Sequence, residues 1–139
     1  MKINAKDIII AAERARLASY SPYSGFAVGA ALLCSDGKIY EGCNIENASY
    51  TPTCCAERVA LFKAVSEGRR DFVAIAIVGG AKDSDERGFC YPCGVCRQVL
   101  SEFSDGDLPV FLGNSKGEIL ELTLGALLPY TFKLKTDGE

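Results

Sequence analysis

The chain contains no histidine. Any metal chemistry it performs must therefore run on sulfur and carboxylate ligands, because the imidazole alternative is missing. Long apolar runs are absent as well. Residues 73–78 form one of the longest, and a bilayer-spanning helix needs about 20 such residues. No stretch gathers basic charge, and the formal net charge of −3 arises from acidic and basic residues mixed along the chain. A surface that tracks polynucleotide phosphates is therefore not expected. The start, Lys2-Ile3-Asn4, leads into a helical pattern and lacks the apolar core of an export signal. No internal repeat, low-complexity segment or linker interrupts the chain, and 139 residues suit one domain, 1–139, around one core.

What the chain does have is cysteine. Seven are present, an odd number, with no export signal. That pattern fits a reducing cytoplasm rather than a disulfide framework. Three of the seven fall in two short motifs. Cys55-Ala56-Glu57 comes first, and Pro92-Cys93-Gly94-Val95-Cys96 follows.

Periodicity and turn residues place these motifs on elements. A first helix spans about residues 5–18, with Asn4 as its cap, Asp7 in the capping-box position and Ile8, Ala11, Ala12 and Ala15 as an apolar stripe. Residues 26–34 read as a buried strand. Asp36-Gly37 is a hairpin signal, so residues 38–43 return antiparallel. After an irregular stretch, 44–52, a helix covers about 54–67. Residues 72–78 form a continuous apolar run, the mark of a central strand buried on both faces. A polar loop, 79–91, precedes a third helix that starts near Cys93 and ends before Asp105. Strands follow at 108–112 and 118–122, and Thr123 caps a short helix ended by Pro129. The third strand, third helix and fourth strand form a crossover, so those strands are parallel. The turn at 114–117 is too short for another crossover, so the fifth strand is antiparallel to the fourth. The expected fold class is α/β: a mixed five-stranded sheet with helices on both faces.

Helix geometry converges both motifs on one point. Cys55 and Glu57 project about 200° apart around a helix axis. They can serve one point only if it lies off the helix tip. Cys93 and Cys96, three apart, share one side of their own helix start. The two motifs thus predict a metal held between two helix N-termini by Cys55, Cys93 and Cys96. Helix N-termini carry partial positive charge and lower thiol pKa values, which offsets the charge of three thiolates on one ion. Arg58 and Arg97 adjoin the ligands. Each is either a donor to a ligand sulfur or a solvated surface residue. Three protein ligands leave a fourth position for water, the pattern of a catalytic zinc, and Glu57 then stands as the proton shuttle.

Two other readings compete. A purely structural zinc site of four cysteines would recruit Cys54 or Cys90. A redox pair would use Cys93 and Cys96, but the motif lies late in the chain, has no tryptophan before it and leaves Cys55-Ala56-Glu57 unexplained. Cys34 and Cys43 lie in strands and read as core residues.

Beyond these motifs, the chain resembles the small, homotetrameric type of cytidine deaminase. The resemblance runs from the first helix to Phe132. It rests on Ser21-Pro22-Tyr23-Ser24-Gly25-Phe26, Val28-Gly29-Ala30-Ala31, Gly42-Cys43-Asn44-Ile45-Glu46-Asn47-Ala48, Cys55-Ala56-Glu57-Arg58 and Pro92-Cys93-Gly94-Val95-Cys96-Arg97-Gln98. It implies hydrolysis of cytidine and deoxycytidine to uridine and deoxyuridine with release of ammonia, in pyrimidine salvage. It implies one Zn2+ per chain on Cys55, Cys93 and Cys96, with Glu57 as the shuttle. Asn44 and Glu46 match residues that bind the ribose. Phe26 matches an aromatic that packs on the pyrimidine, and Ala56 a backbone contact to the base. Tyr50 and Phe132 match aromatics supplied by neighbouring subunits, so a homotetramer with shared active sites is implied. Blasticidin-type deaminases share the zinc motif, but the Ser-Pro-Tyr-Ser and Cys-Asn-Ile-Glu-Asn segments favour a cytidine nucleoside. One departure stands out: residues 82–91 are longer and more charged than the family pattern suggests, and include Cys90.

Overall fold

The computed structural model describes residues 2–134; Met1 and residues 135–139 of the expected 1–139 unit lie outside the described residues. The elements follow the order α1 (Ala5–Arg16), β1 (Phe26–Cys34), β2 (Ile39–Cys43), α2 (Ala56–Ser66), β3 (Phe72–Ala81), α3 (Gly94–Phe103), β4 (Pro109–Gly113), β5 (Ile119–Thr123) and α4 (Leu124–Leu127). Asn4 caps α1, its side-chain oxygen accepting from the backbone N–H of Lys6 at 3.1 Å and of Asp7 at 3.4 Å. The helix ends at Arg16, two residues short of the expected end at Ala18. Arg16 turns back onto the sheet, donating from Nε to the Ala27 carbonyl at 2.8 Å and from Nη2 to the Gly80 carbonyl at 3.0 Å.

The strands form one sheet in the order β2-β1-β3-β4-β5. β3 and β4 run parallel, with Ile75 opposite Val110, while β4 and β5 are antiparallel, as the loop lengths require. β1 pairs antiparallel with β2 on one side and β3 on the other. Alternation along β3 divides the core. Ala74, Ala76 and Val78 face α1 and pack with Ile8, Ala11, Ala12 and Phe111. Ile75 and Ile77 face the other way, into a cluster with Leu61 of α2, Leu100 of α3 and Leu124 of α4. Helices therefore cover both faces, and a strand buried on both faces carries a continuous apolar sequence.

Two glycines bring helices unusually close. A Cβ on Gly29 would lie 2.0 Å from the Ala12 carbonyl oxygen of α1, and one on Gly42 would lie 2.4 Å from that of Ala56 in α2. The second contact presses the start of α2 onto β2 and fixes where its first turn sits. β3 also runs three residues past the expected end at Val78. Gly79, Gly80 and Ala81 continue the ladder opposite Val28, Ala27 and Phe26. Among the described residues, no helix is long and apolar enough to cross a membrane.

Candidate active site

Cys55 and Cys93 are the N-cap residues of α2 and α3, in extended conformation, and neither side chain caps its own helix. Both sulfurs are thereby left to point off the helix tips. Cys93 Sγ lies 3.7 Å from Cys55 Sγ and 3.5 Å from Cys96 Sγ, and the three ligand atoms all fall within 4.8 Å of one another. A disulfide needs about 2.05 Å, and all three thiols are free. Thiolates arranged tetrahedrally around zinc, at about 2.3 Å from the metal, stand about 3.8 Å apart. The donor set and its spacing fit that ion. Neither Cys54 nor Cys90 joins the cluster, which removes the four-cysteine alternative. Cys54 is instead bridged through its backbone to Ile45.

The neighbouring Cys96 thiol and Arg58 draw the Cys55 pKa down, to about 5. Cys96 moves the opposite way, through its interaction with Cys55 and through burial. Arg58 Nη2 donates to Cys55 Sγ at 3.3 Å. Arg97 does something else. It donates to the Pro92 carbonyl and to the Leu127 carbonyl, each at 2.7 Å, and thereby ties the tip of α3 to α4.

Glu57, in the first turn of α2, is 4 % exposed, and it is the one fully buried carboxylate among the described residues. Burial pushes its pKa up to about 7. A carboxylate of that kind holds or releases a proton near neutrality.

A cavity of about 310 Å³ opens onto this centre, and Phe26, Asn44, Glu46, Ala56, Glu57 and Cys93 all line it. Phe26 is 43 % exposed at the start of β1, so it is a wall of the cavity rather than a core residue. Asn44 is buried, and most of its amide is occupied by its own chain. The oxygen accepts from the Val28 N–H at 3.0 Å and from Ser19, and the nitrogen donates to the Phe26 carbonyl at 2.8 Å. The Glu46 carboxylate accepts from the N–H groups of Tyr23 and Ser24, at 3.0 and 3.1 Å, and from the Ser24 hydroxyl. These bonds pull its pKa down.

Tyr50 and Phe132 do not reach the cavity of their own chain. Tyr50, 76 % exposed, packs edge-on to Tyr23 at 6.3 Å in an adjoining cleft of about 300 Å³ that shares Ser24, Glu46 and Thr53 with the cavity. Phe132 is 69 % exposed, its carbonyl accepting from Gln98. Ser24, Val28, Thr53, Cys54, Cys90 and Tyr91 also line the cavity, and the sequence marked none of them as a substrate contact. Ser24 and Val28 lie within the family-like segments, and Cys90 and Tyr91 within the 82–91 stretch, that the sequence singles out. A larger cleft, about 580 Å³, is lined by Arg70, Glu102, Asp105 and Lys133 among others. None of the three clustered thiols lines it.

Comparison with known proteins agrees with this arrangement. The family profile for the cytidine and deoxycytidylate deaminase zinc-binding region matches residues 3–112. A cytidine deaminase of Sporosarcina psychrophila is 52 % identical over 130 residues, covering 94 % of this chain and 92 % of that protein. One of Halalkalibacterium halodurans is 54 % identical over 125 residues, covering 90 % and 91 %. The crystal structure of cytidine deaminase from Burkholderia pseudomallei superposes with a TM-score of 0.85 at 46 % identity, covering 94 % of this chain and all 100 % of that one.

Proposed function

The chain belongs to the cytidine and deoxycytidylate deaminase family, and from that premise we propose that it deaminates cytidine and deoxycytidine hydrolytically, giving uridine and deoxyuridine with release of ammonia. The observation that carries this reading is a single buried carboxylate, Glu57, beside three clustered thiols at two helix tips.

Cys55, Cys93 and Cys96 would hold the zinc. When bound, the ion supplies Lewis acidity, which brings a water molecule within reach of deprotonation at neutral pH. The chain's own residues do the rest. Glu57 takes a proton from the attacking water, passes it to ring N3, and then moves the proton of the new C4 hydroxyl to the amine, which leaves as ammonia while C4 becomes a carbonyl. Arg58 withdraws charge from the Cys55 sulfur through its hydrogen bond. Phe26 packs against the pyrimidine face, and the backbone at Ala56 contacts the base. Glu46 keeps acceptor capacity for ribose hydroxyls beyond the three bonds it makes to its own loop, and Asn44 keeps one amide N–H. Tyr50 and Phe132, both exposed, serve the cavities of neighbouring subunits in a homotetramer. The substrate is a small nucleoside rather than a polymer, and the work is cytoplasmic pyrimidine salvage by one catalytic unit spanning 1–139.

The test is ultraviolet loss of cytidine absorbance, run beside deoxycytidine, cytosine, CMP and blasticidin S. Cytidine and deoxycytidine are expected to lead. A clear preference for CMP or blasticidin S reassigns the substrate. Glu57→Gln should keep its zinc by metal analysis while kcat falls by about 10²–10⁴-fold. A near-normal rate in that variant would remove Glu57 from its role.

A further inference from the structure

The cavity has two kinds of wall. Ala56 and Glu57 come from the first turn of α2, whereas Val28, Cys90 and Tyr91 come from β1 and the segment leading into α3. The second wall rests on Gly79 of β3. A Cβ built there would lie 2.8 Å from Cys90 Sγ and 3.0 Å from Val28 Cγ2. The missing side chain lets Cys90 settle onto the sheet, where it packs against the same core cluster as Val28 and Phe89.

Cys90 is also fixed from upstream. The Arg87 N–H donates to the Ser115 hydroxyl at 2.8 Å, and the Ser115 N–H donates to the Arg87 carbonyl at 2.9 Å. Arg87 Nη2 reaches Glu13 of α1 at 2.9 Å. The stem of Arg87 lies on Gly80, where a Cβ would meet Cγ at 2.4 Å. Two successive glycines of β3 thus seat two side chains of the 82–91 segment, and Cys90 has little room to retreat.

We propose that Cys90, seated on Gly79 beside Val28, sets the width of the cavity along the C5–C6 edge of the cytosine ring and so decides which 5-substituted nucleosides are accepted. This rests on the cytidine reading above. With N3 turned to Glu57, the α2 wall holds one edge of the ring. The edge carrying C5 is left to the wall that Cys90 forms.

The test compares kcat/KM for cytidine, 5-methylcytidine and 5-ethylcytidine in the zinc-loaded enzyme, with zinc content measured in parallel. Cys90→Ala is expected to raise the ratio of 5-ethylcytidine to cytidine about tenfold, the scale of one methylene in a pocket. Cys90→Leu lowers the ratio of 5-methylcytidine to cytidine by a similar factor. Gly79→Ala, which drives the thiol toward the ring, shifts that ratio the same way and stands in if the leucine variant does not fold. Cys90→Ser, close in size, leaves both ratios within about twofold of the parent enzyme. Ratios unchanged in Cys90→Ala, with zinc retained and cytidine turned over, overturn this proposal alone. A parent enzyme inert toward cytidine overturns the reading it rests on.

Discussion

Asn44 illustrates how one side chain can serve both the fold and the site. Its amide bridges the Val28 N–H and the Phe26 carbonyl, holding the first residues of β1 in place, and it also lines the cavity. Asn44→Ala strands two backbone groups and should cost about 1–3 kcal/mol, read as a lower urea midpoint. An unchanged midpoint would show that the amide does not hold β1. The sequence made the thiols and Glu57 legible because metal chemistry admits few residue types at few spacings. It left Asn44 half-read, since a residue type does not reveal its hydrogen-bond partners. The two arginines make the same point. Arg58 and Arg97 look equivalent beside their cysteines, but a carbonyl of α4, remote in sequence, claims Arg97.

The elements themselves were largely legible. The nine-element order, the parallel β3–β4 pair and the antiparallel β5 all follow from periodicity and loop length. The end of β3 was not, because Gly79 and Gly80 read as strand breakers. In the fold they stay in the ladder because each must clear a neighbouring side chain, Cys90 and Arg87 respectively. Gly42 was equally opaque in sequence. Its would-be Cβ lies 2.4 Å from the Ala56 carbonyl oxygen and 2.5 Å from the Ala60 nitrogen, and helix backbone cannot step aside cheaply. Gly42→Ala should therefore destabilise the protein by about 1–3 kcal/mol and loosen zinc retention against a chelator, because α2 carries both Cys55 and Glu57. A variant with parental stability and metal retention would show that α2 does not need this close contact.

Over the whole molecule, a charged clasp that shares no residue with the cavity ties two junctions together. Arg69, between α2 and β3, is gripped by Asp36 in the β1–β2 turn and by Asp71, each at 2.7 Å. Arg69 first, then the Ser35 hydroxyl, hold the Asp71 carboxyl below the usual carboxylate range. A carboxyl depressed in the folded state contributes stability above its unfolded pKa of about 4, and that contribution is lost as the pH falls through the folded value. Asp71→Asn should accordingly lower Tm at pH 7, and the gap from the parent should narrow as the pH drops below about 4. A gap constant with pH would show that the clasp is not ionic. The strand order was not readable in advance, since nothing local dictates that β1 lies between β2 and β3. The thiol cluster has a consequence of another kind. Cys55 and Cys93 are separated by 38 positions, and an ion shared between them closes that length of chain into a ring. Closing a ring of this size removes unfolded-state entropy equivalent to about 4 kcal/mol. The metal is thus also a reversible cross-link, and it restrains the two helices that carry its ligands from separating.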